Sequence, residues 1–87
     1  MTLDPRAGER AALGARCREL LQSETFQKAI AELDHEYREA LFRTAPAETD
    51  KREQMFLEYH GLKRIVGRLQ SWEADGVMAQ QEIDRAS

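Results

Sequence analysis

Two apolar ladders, mirrored about the stretch Thr44-Ala45-Pro46-Ala47-Glu48-Thr49, constrain this chain more than any other feature. Phe26, Ile30, Leu33, Tyr37 and Leu41 step by 4, 3, 4 and 4 residues, and Met55, Tyr59, Leu62, Val66 and Leu69 by 4, 3, 4 and 3. Each set therefore lines one side of an α-helix. Folding the chain back at the loop pairs Leu41 with Met55, Tyr37 with Tyr59, Leu33 with Leu62, Ile30 with Val66 and Phe26 with Leu69. Because each pair lies nearly the same distance from the loop, the pattern predicts an all-α protein built on an antiparallel helical hairpin, about 24–43 and 50–75.

Signals at the helix ends refine this frame. Asp4-Pro5 suits a helix start, since Asp can cap free amides and Pro is tolerated in the first turn. An N-terminal helix is expected over about 5–22, with Leu13, Cys17, Leu20 and Leu21 on its apolar side. Gly8 and Gly14 weaken its first half by about 1 kcal/mol each relative to Ala. Ser23 suits an N-cap and so a break before helix 2, although without Gly or Pro there one long helix through residue 43 is the alternative. Pro46 disfavours the α conformation at Ala45, and Asp50 with Glu53 resembles a capping box, placing the next helix start near Thr49 or Asp50. Gly76 is read as the left-handed residue that ends helix 3, with Val77 touching Trp72. Helix 3 then overhangs helix 2, so Trp72 is expected to meet Leu20 and Leu21, docking helix 1 at the base of the hairpin. Residues 77–87 are expected to be a short C-terminal tail, either a frayed short helix or a segment ordered on binding.

At 87 residues the chain makes a single domain, 1–87, with a thin core. A third of its residues are charged, in favourable acid-before-base pairs such as Glu24 to Lys28, Asp34 to Arg38 and Glu39 to Arg43. The net charge of −3 argues against nonspecific binding to nucleic acid or anionic membranes. No apolar run approaches the roughly 20 residues of a membrane span, and the acidic and basic residues near the N-terminus do not suit a signal peptide. A soluble protein of a reducing compartment is expected.

Several residues suggest chemistry, each with a plainer alternative. Glu32 and His35 match Glu-x-x-His, half of a di-metal site in a four-helix bundle. The second copy is missing, since Leu57 stands three residues before His60, so a wet helix surface is the expected role. Cys17 falls at the spacing of a small buried residue, and no nucleophile–base set or phosphate loop accompanies it. No catalytic residue, cofactor, metal or small-molecule substrate is expected.

Lys63, Arg64 and Arg68 form the densest basic cluster, which Arg6, Arg10, Arg16 and Arg18 on helix 1 could extend to grip phosphates or an acidic partner. A solvated helix face is the ordinary explanation, and nucleic acid is possible but not favoured. Phe42, Phe56 and Leu57 lie beside the seam near the hairpin tip, where two helices alone cannot cover them. They form either a partner-binding or homo-oligomer surface or a patch covered by helix 1 folding back. Gly61 and Gly67 inside helix 3 are costly unless another helix approaches closely.

Leu20-Leu21-Gln22-Ser23-Glu24-Thr25-Phe26, Leu33 with Tyr37, Thr44-Ala45-Pro46, Arg52-Glu53 and the stretch from Leu69 to Gly76 together resemble small helical proteins of the head and packaging gene region of tailed bacteriophages. The resemblance covers about residues 20–76. It implies a phage or prophage accessory protein, located in the virion or the bacterial host cytoplasm, that works through contacts with protein partners. It carries no catalytic motif.

Overall fold

A computed structural model describes residues 4–87 and contains three helices, α1 (Ala7–Gln22), α2 (Glu24–Arg43) and α3 (Thr49–Ala86). The described residues include no strand, so the all-α expectation holds. The molecule measures 61 × 26 × 13 Å with a radius of gyration of 18.4 Å, against about 12 Å for a compact chain of this length. Its smallest dimension is close to the roughly 10–12 Å diameter of one helix, so the helices lie in a single layer.

The break between α1 and α2 falls at Ser23, which ends one helix and caps the next. Its backbone is extended (φ −63°, ψ 126°), and its hydroxyl accepts from the Phe26 amide at 3.3 Å. The turn between α2 and α3 is held by Arg52, which donates to the Ala45 carbonyl at 2.8 Å and to Thr44 Oγ1 at 3.1 Å. Glu48 closes it by accepting from the Ala45 amide at 2.9 Å. That bond, with Lys51 and Arg52 nearby, holds the Glu48 carboxyl below its ordinary range. The expected Asp50–Glu53 box does not supply the cap, because α3 starts at Thr49 without a side-chain cap bond. At the other end of the chain Asp4 accepts from the Arg6 amide at 3.0 Å, and α1 begins two residues later than expected.

The largest departure from expectation lies at Gly76. It has no positive φ, α3 runs straight through it to Ala86, and residues 77–86 are the end of that helix rather than a tail. The 38 residues of α3 give a rod about 57 Å long at 1.5 Å per residue, which nearly fills the long dimension of the molecule. The glycine serves a crossing instead of a cap. A Cβ built on Gly14 would lie 2.6 Å from the Gly76 Cα, and one built on Gly76 equally close to the Gly14 Cα. Among the described residues Ala7, Gly14, Cys17, Gly76 and Ala79 are the buried ones, so α1 and α3 meet backbone to backbone through small side chains.

Polar contacts clamp that crossing. Arg10 donates through Nε and Nη2 to the two carboxylate oxygens of Asp75, at 3.0 and 2.8 Å, and through Nη1 to Asp4 at 2.9 Å. Its Nη1 also lies 3.6 Å from Glu82, and Arg18 Nε reaches Glu73 at 3.3 Å. The Arg10 guanidinium holds the Asp75 carboxyl below the usual range. Asp4 is lowered by its bond from the Arg6 amide and then by Arg10.

Against α3, α2 makes a looser seam. Phe26, Ile30, Asp34, Tyr37 and Leu41 are its half-buried row, while Leu33 is 40% exposed. Asp34 therefore takes the inward position expected of Leu33. On α3 the expected row of Met55, Tyr59, Leu62, Val66 and Leu69 is the half-buried one. Tyr37 and Tyr59 meet with ring centroids 6.1 Å apart, and the Tyr59 hydroxyl donates to Asp34 at 2.7 Å.

Candidate functional site

What the fold leaves uncovered is the candidate site. Among the described residues no large side chain is fully buried, and the buried apolar residues are Ala7, Cys17 and Ala79. The accessible surface is 6962 Å², whereas a compact monomer of 10.0 kDa exposes about 5,200 Å². Leu13, Leu20, Leu33, Phe42, Phe56, Leu57, Ile65, Trp72, Val77 and Met78 are all at least 39% exposed.

At the tip, Phe42 is 92% exposed, Leu57 70% and Phe56 51%. Phe56 stands edge-on to His60 at 4.4 Å between ring centroids. The alternative in which helix 1 covers this patch does not occur, because α1 crosses the far end of α3 around Gly76. Gly61 and Gly67 likewise have no neighbour within 4 Å of an added Cβ. Within the chain, the close helix approach falls on Gly14 and Gly76 instead.

The basic cluster divides. Lys63 turns to the seam, its ammonium 3.5 Å from Asp34 and 5.4 Å from the Tyr59 ring centroid. Asp34 also pairs with Arg38 at 2.9 Å. The Tyr59 hydrogen bond first, then Arg38 and Lys63, hold its carboxyl below the ordinary value. Arg64 and Arg68 on α3 and Arg16 on α1 are exposed and take part in none of the ion pairs among the described residues.

An open groove of about 460 Å³ runs beside the α2–α3 seam, with Phe26, Ile30 and Val66 as apolar lining and Asp34, Arg38 and Lys63 among its polar groups. Cys17 is 3% exposed, in keeping with a small packing residue. Glu32 and His35 are exposed, and no group of three potential metal ligands occurs among the described residues. None of the described helices is long and apolar enough to cross a membrane.

Sequence spacing pointed to the tip but missed the α1–α3 clamp. A signal was present in Ala7, Gly14 and Cys17, which repeat at helical intervals and match Gly76 and Ala79 in size. No protein-family model matches the chain, and neither a curated protein nor a solved structure shows significant similarity to it.

Proposed function

We propose that the chain is a non-catalytic protein–protein interaction module that completes its core by self-association. In this reading α2 and α3 form an antiparallel hairpin, and α1 extends the α2 arm along the second half of α3. The observation that carries the proposal is that no large side chain among the described residues is fully buried in a single-layer structure. Domains hold together as two packed layers around a shared core, so the second layer is supplied from outside. The phage-protein resemblance gives this module a setting as a virion or assembly accessory protein that acts through helix packing. The exposed Phe42, Phe56 and Leu57 are a separate tip surface for a different protein partner and take no part in the self-association.

Thermal unfolding followed by circular dichroism over a wide concentration range tests self-association. The melting temperature rises with concentration when the folded state is oligomeric. A melting temperature independent of concentration contradicts it.

A second reading, a nucleic-acid-binding packaging component, is favoured by Arg16, Arg64 and Arg68 lacking carboxylate partners. It predicts DNA binding that weakens steeply with salt, and no binding at low salt removes it.

A further inference from the structure

Resting on the interaction-module reading, we infer that self-association seats a second copy of this chain on the broad face that carries Leu13, Leu20, Leu33, Ile65 and Trp72, away from the tip. Each of these residues immediately precedes an inward-facing one: Gly14, Leu21, Asp34, Val66 and Glu73, all buried or half-buried. One residue back along a helix is a rotation of about 100°, so each turns from the seam in the same sense along its own chain direction. The α1–α2 arm and α3 run in opposite directions, so that common sense brings all five to one side of the layer. Phe42 and Phe56 immediately follow the half-buried Leu41 and Met55 and therefore lie on the opposite side. The five residues are 39%, 41%, 40%, 60% and 42% exposed, forming a second apolar seam along both arms.

Area and charge select a second copy as the occupant. The chain exposes about 1,700 Å² more than a compact monomer of its mass. Burying that excess on two chains removes about 3,400 Å², within the range of obligate homodimers and well above what a transient contact needs. Stacking two layers, each one helix thick, gives a four-helix bundle with the apolar stripes inside. Glu36 and Arg68 border the face three residues after Leu33 and Ile65, one acidic on α2 and one basic on α3. Neither has an ion-pair partner among the described residues. A self-paired face thus carries charges of opposite sign that a second copy can satisfy, as a two-fold interface requires.

The experiment is light scattering after size exclusion on three full-length proteins: the natural chain, a Leu33→Glu/Ile65→Glu variant and a Phe42→Glu/Phe56→Glu variant. The natural chain is expected at twice the 10.0 kDa mass, the Leu33/Ile65 variant at the mass of one chain, and the Phe42/Phe56 variant still at twice that mass. A Leu33→Lys/Ile65→Lys chain mixed with the Glu variant restores the doubled mass, which separates interface loss from misfolding. A mixture that stays at the mass of one chain overturns the inference. So does loss of the dimer only in the Phe42/Phe56 variant, which places self-association on the other face and leaves the interaction-module reading intact. A natural chain that remains single removes the self-association reading as well.

Discussion

Replacing Gly14 with alanine tests the α1–α3 crossing with a single methyl group. The new Cβ would sit 2.6 Å from the Gly76 Cα, 3.0 Å from the Trp72 carbonyl oxygen and 3.2 Å from the Gly76 nitrogen. Carbon atoms pack at about 3.5–4.0 Å, so the two helices must separate by about 1 Å. All three contacted atoms are backbone, and no side-chain rotation relieves the clash. Overpacking of this kind costs about 1–3 kcal/mol, against which the glycine-to-alanine change returns about 1 kcal/mol of helix propensity. At Gly67 the same substitution meets nothing within 4 Å and keeps the propensity gain alone. Subtracting one variant from the other cancels the propensity and leaves the crossing, worth about 1–3 kcal/mol. Thermal unfolding at one fixed protein concentration reads this directly. Gly67→Ala is expected to raise the melting temperature by about 4–8 °C, and Gly14→Ala to lower it or leave it well below the Gly67 variant. Equal shifts in the same direction would refute the backbone-contact account.

Other perturbations address the remaining joints. Ser23→Ala removes the cap between α1 and α2 and should cost about 0.5–2 kcal/mol, seen as a lower melting temperature; an unchanged one means the hydroxyl is not a cap in solution. Truncation after Gly76 removes Ala79 and Glu82 from the crossing, so α1 should lose its amide hydrogen-exchange protection, whereas retained protection would show that the end of α3 is a dispensable tail. Asp4, Asp34 and Asp75 have folded-state values below the ordinary 3.8. A depressed carboxylate contributes stability above its unfolded value and loses it as pH falls through the folded one. Stability should therefore be level near neutrality and decline from about pH 4 downward, more steeply in the natural chain than in Asp75→Asn. Identical acid profiles for the two proteins would mean that Arg10 does not hold Asp75.

The three helices were legible because their evidence is periodic. The row from Met55 to Leu69 is the half-buried row of α3, and Ser23 and the turn around Pro46 fall where their chemistry predicts. Leu33 misled because Phe26, Ile30, Asp34, Tyr37 and Leu41 fit a helical stripe equally well. Hydrophobicity favoured the leucine, whereas a Tyr59 hydroxyl and two cations make the inward aspartate acceptable. Gly76 misled for a related reason. A glycine is equally at home in a left-handed cap and at a helix crossing, and only the position of Gly14 on another element separates the two. The Arg10 clamp joins residues 65 apart and leaves no local trace. The tip residues Phe42, Phe56 and Leu57 could be nominated from spacing, but their exposure depended on where α1 docks.

Sedimentation equilibrium of the natural chain tests the central claim most directly, because it weighs the particle without assuming a shape for a molecule 61 Å long. Two chains per particle, about 20 kDa, persisting to micromolar dilution is the expected result. A folded, helical particle of 10.0 kDa at every concentration would contradict it, because a single layer of helices would then be stable with its apolar faces in water.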